Sequence, residues 1–244
     1  MRKRGLSQEG LKILACMTML IDHFAAVLLF QLFPMSQFLF DLYGILRIIG
    51  RLAFPVYCFL LAEGAHYTRD PKKYALRLAL GALLSELPYD YALYGGINWQ
   101  HQNVMVTLLL GFLFAVTVSD IRAPGCRILL LVPFIMLAEL IHADYGGWGV
   151  AMIGLFVVTG EIPNRHWVQA LGLAVIAWMI GGMTIGIGPI RVPVQLFCVA
   201  AMVPIALYDG QKRTNSKWVQ WTFYLFYPAH LLALYCCNRL MRWV

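Results

Sequence analysis

The chain reads as an all-α protein, a polytopic integral-membrane helical bundle of about nine helices (eight to ten at the limits) with its N-terminus in the cytoplasm. Three observations lead there. Of 244 residues, 61% are hydrophobic and 13% charged, and mean hydropathy is +0.70; a soluble domain averages about 45–50% apolar and about 25% charged. The apolar residues come in long runs, and a helix needs about 20 of them to cross a bilayer. The basic residues gather in alternate connections, as they do on the cytoplasmic side of membrane proteins.

The runs are 11–33, 42–66, 73–93, 104–119, 127–142, 148–160, 167–186, 193–208 and 218–238. The first follows Met1-Arg2-Lys3-Arg4. It is too long for a signal peptide and lacks a small-residue cleavage site, so a retained helix is expected. The second carries Arg47 and Arg51, four apart and on one face. The third opens at Asp70-Pro71, where proline suits a first helical turn, and carries Glu86 and Asp90, again four apart. Gln102-Asn103 precedes the fourth. His142-Ala143-Asp144-Tyr145 follows the fifth, and the sixth is short. The stretch 181–189 at the end of the seventh is expected to be a broken or re-entrant piece. The last carries His230 about twelve residues in. No run shows the period-two alternation of a transmembrane strand. No polar tail or low-complexity tract divides the chain, so one domain, 1–244, is expected.

Orientation follows from the nineteen Lys and Arg. With the N-terminus inside, fourteen fall on the cytoplasmic side: Arg2, Lys3, Arg4, Lys12, Arg69, Lys72, Lys73, Arg77, Arg122, Arg127, Arg165, Lys212, Arg213 and Lys217. Arg191, Arg239 and Arg242 fall outside, and Arg47 and Arg51 within a span. The two C-terminal arginines fit an even span count better than nine. The net charge of +7 thus reads as topology and contact with anionic lipid, not as a nucleic-acid surface. The six cysteines have no zinc-site spacing and suit packing; no metal is expected.

The ionisable residues inside the runs carry the functional signal. A charge at the bilayer centre costs roughly 2.5–3.5 kcal/mol on insertion scales. Yet Asp22 and His23 lie about eleven residues into the first run, roughly 16–18 Å deep at 1.5 Å per residue. Arg51 and His230 fall near the same depth, and Glu86 somewhat further out. Two histidines with carboxylates and arginines around them suit an acid/base site or a proton path. The plainer reading is a set of buried ion pairs that fix helix register. Neighbouring helix positions point about 100° apart, so Asp22 need not bond His23 and suits pairing with Arg51. A second feature is His66–Leu78, "HYTRDPKKYALRL", with Arg69, Lys73 and Arg77 at steps of four. It is either an anchor on lipid head groups or a site for a phosphate-bearing metabolite such as an acyl-coenzyme A.

The stretches "LKILACMTMLIDHF", "GRLAFPVYCFLLAEGAHYTRDPKKYALRL", "LLSELPYDYAL", "QNVMVTLLLG", "DYGGWGV" and "FYLFYPAHLLALY" together resemble the TraX family. That family is named for a conjugation-plasmid protein linked to pilin N-acetylation. They occur in the family's order and cover most of the chain; Phe24-Ala25 stands where the family often has a glycine. The family looks like a branch of the transmembrane acyltransferases. The resemblance implies a multi-pass bacterial inner-membrane acyltransferase. Acetyl-coenzyme A or another acyl-coenzyme A would be the donor, and the acceptor an extracytoplasmic amine or hydroxyl on a pilin-like peptide, glycan or small molecule. On that basis His23, Asp22, Arg51, Glu86 and His230 form the catalytic set, with Arg51 or a histidine N–H on the oxyanion. Arg69, Lys73 and Arg77 hold the donor's phosphates, and Asp90, Gln102, Asn103, Asp144 and Tyr145 meet the acceptor. The rival readings are a proton-coupled transporter or flippase, for which no internal repeat is found, and a non-catalytic membrane assembly factor.

Overall fold

The computed structural model describes residues 5–32, 36–187, 190–214 and 216–241. Arg2, Lys3, Arg4 and Arg242, counted above, lie outside them, as do Gly188 and Pro189. The architecture is all-α with one short hairpin.

Helix α1 (Gln8–Phe24) starts at Ser7, whose hydroxyl accepts from the Gly10 N–H at 3.2 Å, satisfying a first-turn donor. It continues through a π-helical turn, Ala25–Leu29, into α2 (Phe30–Leu32). α3 (Gln37–Gly50) and α4 (Ala53–Tyr67) form one apolar stretch with a break at Arg51-Leu52. The run expected at 42–66 therefore starts earlier and is interrupted in the middle. Pro55 gives the reason: it offers no N–H to the Arg51 carbonyl, and its ring crowds that oxygen. The chain tightens there, the N–H groups of Arg51 and Leu52 bonding to the carbonyls of Ile48 and Ile49 at 3.2 and 3.3 Å.

α5 (Pro71–Tyr94) is capped by Asp70, which accepts from the Lys73 N–H at 3.0 Å. The same backbone hydrogen bond, with the Lys73 ammonium beside it, holds the Asp70 carboxyl below its usual pKa. α6 (Val104–Thr117) is capped by Asn103. α7 (Pro124–Leu140), α8 (Gly146–Thr159) and α9 (Arg165–Ile180) follow. Strands β1 (Thr184–Ile187) and β2 (Ile190–Pro193) then pair antiparallel, overlapping the stretch 181–189 where a broken or re-entrant piece is expected from the sequence. Their β-branched residues, Thr184, Ile185, Ile187, Ile190 and Val192, favour extended backbone. A 3-10 segment (Val194–Ala201) leads into α10 (Met202–Ala206), and α11 (Lys217–Met241) closes the described chain.

α1 packs among α3, α4 and α11; α11 runs along α5; α4 and α6 both meet α8. Leu11, Ala15, Val56, Phe112, Ile153 and Leu231 are fully enclosed in the apolar cluster these helices share. Leu6 pairs with Tyr208, and the Glu9 carboxylate accepts from the N–H groups of Arg213 and Thr214 at 3.1 Å. The start of α1 and the segment before α11 therefore share one end of the bundle. Large apolar side chains face outward elsewhere, Leu83 and Leu140 at 75% exposure. Among the described residues, Gln8–Leu29 and Gln37–Tyr67 are long and apolar enough to cross a membrane; α6, α8 and Val194–Ala206 are apolar but shorter.

Candidate active site

Asp22 and His23 sit side by side on α1 and go to different partners. The Asp22 carboxylate bridges two guanidiniums, with Arg47 Nη1 donating to Oδ2 at 2.6 Å and Arg51 Nη2 to Oδ1 at 2.5 Å. The two arginines are one turn apart at the end of α3, so both reach the same carboxylate. Gly50 lies between them. A Cβ there would overlap the Asp22 carboxylate, so the close approach requires glycine. Arg51 makes three further hydrogen bonds: Nε donates to the Arg47 carbonyl at 3.2 Å, and Nη1 donates to Gln195 Oε1 at 3.1 Å and to Tyr145 Oη at 3.4 Å.

His23 pairs with His230, Nδ1 to Nε2 at 2.7 Å, and His230 Nδ1 lies 2.7 Å from the Phe226 carbonyl oxygen. These two contacts fix both neutral tautomers. A carbonyl only accepts, so His230 Nδ1 carries the proton and His230 Nε2 a lone pair. His23 Nδ1 must then donate, which leaves the lone pair of His23 on Nε2. No described residue bonds that nitrogen. A histidine whose second nitrogen is held by an orienting group has the geometry of a general base in the Ser-His-Asp arrangement. Directly after this pair the helix widens into the π turn, the Phe30 N–H bonding to the Ala25 carbonyl five residues back; such π turns occur frequently at functional sites.

Among the described residues two cavities meet at this point. One, about 340 Å³, runs from Lys12, Arg77 and Lys212 at the end where the start of α1 meets the segment before α11, past Tyr57 and Tyr74, to His23. The other, about 390 Å³, is walled by Arg47, Arg51, Gln195 and Gly181–Met183. Asp22, His23, Asp144 and Tyr145 line both. Arg77 stands over the rings of Tyr74 and Tyr224, 5.2 and 6.0 Å from their centroids, and its Nε has no hydrogen-bond partner.

The structure thus brings together Asp22, His23, Arg51, His230, Asp144 and Tyr145. Glu86 does not line either cavity; it accepts from the side-chain amide and the backbone N–H of Asn103 and so fastens α5 to α6. Asp90 is buried and accepts from the Asn98 N–H at 2.9 Å. Gln102 pairs through its backbone with Ala143, its side chain turned to the Trp99 carbonyl. Asn103 is enclosed as the α6 cap. Of the basic trio, Arg77 lines the first cavity, while Lys73 is exposed and paired with Asp70 at 3.0 Å, and Arg69 is exposed outside it. Sequence reasoning passed over Lys12, Lys212, Gly50, Tyr227 and Gln195 as site residues. Lys12 had a usable signal: it precedes His23 by eleven residues, about three helical turns, and so shares its face. Gln195 had none, since a single glutamine after a hairpin carries no pattern.

No solved structure matches this chain. It is 28% identical over 260 residues to a probable fimbrial assembly protein FimC, serogroup H1, of Dichelobacter nodosus, with 98% of each chain covered. The profile of the family described as TraX protein matches residues 7–238. That match spans nearly the whole chain, including both histidines and both arginines of the buried cluster, and the chain belongs to the TraX family.

Proposed function

We propose that this chain is a multi-pass membrane acyltransferase. It takes an acyl group, acetyl in the first instance, from cytoplasmic acyl-coenzyme A and transfers it to an amine or hydroxyl on the far side of the bacterial inner membrane. The observation that carries this reading is the junction of two cavities at a histidine whose Nε2 lone pair is free and whose Nδ1 is held. The outward-facing leucines support a lipid surround for the bundle.

Lys12, Arg77 and Lys212 suit the diphosphate and 3′-phosphate of coenzyme A, with the pantetheine arm in the shaft above them. From Lys12 to His23 is eleven residues, roughly 16 Å of helix. The acceptor enters the second cavity, past Arg47, Arg51 and Gln195. Its nucleophile attacks the thioester carbon as His23 Nε2 takes the proton. The C–S bond then breaks, and the thiolate receives that proton from His23. The Asp22 clamp holds Arg47 and Arg51 as a fixed wall. The relative's name, a fimbrial assembly protein, suits a pilin-like acceptor.

The test is transfer of label from [¹⁴C]acetyl-coenzyme A in proteoliposomes. Acceptors supplied on the opposite face are a short peptide with a free amino terminus and an alkyl glycoside. His23→Ala is expected to abolish transfer while coenzyme A binding persists. Near-normal turnover in His23→Ala would reject the assignment. Passage of intact acetyl-coenzyme A or acetate without covalent transfer would favour the transporter.

A further inference from the structure

Transfer through a tetrahedral intermediate needs donors for the oxyanion, and Arg51 has one N–H left, on the nitrogen already held by Asp22. Its Nε and both terminal nitrogens already bond to Asp22, Gln195, Tyr145 and the Arg47 carbonyl. The His23 Nδ1–H is likewise taken by His230. Tyr227 is placed differently. It lies one turn before His230 on α11, and its ring centroid is 6.1 Å from that of His23 and 5.7 Å from that of His230. It lines the first cavity, is only 4% exposed, and its hydroxyl has no hydrogen-bond partner. Leaving a buried hydroxyl unpaired costs about 1–3 kcal/mol, a cost that a bound oxygen would remove.

Val104, the first residue of α6, lines the same cavity. The cap leaves its N–H over. The Asn103 N–H goes to Glu86, the Met105 N–H to the Asn103 side chain, and the Val106 N–H to the Asn103 carbonyl. The Tyr227 hydroxyl lies near the Val104 N–H without closing a hydrogen bond to it. A first-turn N–H has no acceptor within its own helix.

We propose that the Tyr227 hydroxyl and the Val104 N–H form the oxyanion hole of the reaction, beside the base rather than on the arginine clamp. The proposal rests on the acyltransferase reading. As the nucleophile's lone pair forms its bond to the acyl carbon, its proton passes to His23 Nε2. The carbonyl π pair moves onto oxygen, between these two donors. When that pair returns, the C–S bond breaks and the thiolate leaves with the bonding electrons, taking the proton back from His23. The donors are fixed before the charge develops, and such preorganisation is what stabilises a transition state.

Tyr227→Phe removes the hydroxyl and keeps the ring against both histidines. With acetyl-coenzyme A as donor and hydroxylamine as acceptor, thiol release above the uncatalysed rate gives kcat and KM. The variant is expected to lose about 100-fold or more in kcat, the usual effect of deleting one oxyanion donor, with KM for acetyl-coenzyme A unchanged. A kcat within threefold of wild type, or a raised KM at unchanged kcat, would overturn the oxyanion role and leave the acyltransferase reading intact. Wild-type thiol release no faster than that of His23→Ala would remove both.

Discussion

The histidine pair makes a prediction that can be worked through in numbers. While His23 is neutral, its Nδ1–H donates to a neutral imidazole, a hydrogen bond with a net value of about 0.5–1.5 kcal/mol. When Nε2 takes the nucleophile's proton, the same bond becomes charge-assisted and rises to about 1.5–3 kcal/mol. The gain made only in the transition state is therefore about 1–1.5 kcal/mol, roughly 5–15-fold in rate at 1.36 kcal/mol per decade. His230→Ala also frees the ring to exchange tautomers, which removes Nε2 from service part of the time and adds roughly a factor of two. We predict a loss of about 10–30-fold in kcat for His230→Ala. For His23→Ala the general-base contribution is lost, about 10²–10⁴-fold. Because His230 acts only through His23, the double variant should be no slower than His23→Ala alone. The assay is single-turnover deacylation of acetyl-coenzyme A in detergent, with coenzyme A binding measured in parallel as a check on folding. Multiplicative effects in the double variant would refute the coupling. A defect in His230→Ala as deep as that of His23→Ala would move the base to His230.

Neutralising Lys12, Arg77 and Lys212 to Gln should raise KM for acetyl-coenzyme A at least tenfold and leave saturated turnover nearly unchanged, since phosphate contacts act equally before and during reaction. Arg69→Gln with Lys73→Gln should change it little, because Arg69 is exposed outside the cavity and Lys73 is exposed and paired with Asp70; equal effects in the two sets would argue for general attraction to the basic end. Gly50→Ala should displace the Asp22 carboxylate and lower thermal stability in detergent on the scale of a broken buried ion pair, about 3–5 kcal/mol. Wild-type melting would show that the carboxylate has room to move. Asp22→Asn should destabilise on the same scale, because Arg47 and Arg51 lose their shared countercharge, and a second change, Arg47→Met, should recover part of the loss.

The resemblance of the quoted stretches to one family was readable in the sequence, as was the all-α fold, because long apolar runs and proline- or serine-led helix starts depend on local chemistry. The depth of Asp22, His23, Arg51 and His230 was readable from residue counts. The pairing of Asp22 with Arg51 was readable too, but the contact of His23 with His230 and the place of Arg47 on the same carboxylate were not. Depth along a helix is one coordinate, and the contact also depends on rotation and on which helices are neighbours. Glu86 shows the difference. It lies at a suitable depth for the cluster, yet it turns to Asn103, whose enclosed backbone N–H and side-chain amide both donate to its carboxylate. Lys73 shows it again: it shares a stripe with Arg77, but the Asp70 cap draws its ammonium away from the cavity. The hairpin at 184–193 escaped because glycine and proline mark a break without saying whether helix or strand follows. The break at Arg51 was within reach, since Pro55 denies a partner to the carbonyl four residues before it. That break has a consequence for the site. The tightened turn at Arg51-Leu52 comes directly after Gly50, the glycine that gives the Asp22 carboxylate room between the two guanidiniums. We predict that Pro55→Ala, by restoring the helical hydrogen bond to the Arg51 carbonyl, straightens α3 into α4 and loosens the clamp. Turnover should fall while the melting temperature stays close to that of wild type, because the clamp is loosened rather than broken and the added helical bond contributes about 0.5–1.5 kcal/mol. Unchanged turnover would mean that the clamp does not depend on the proline break.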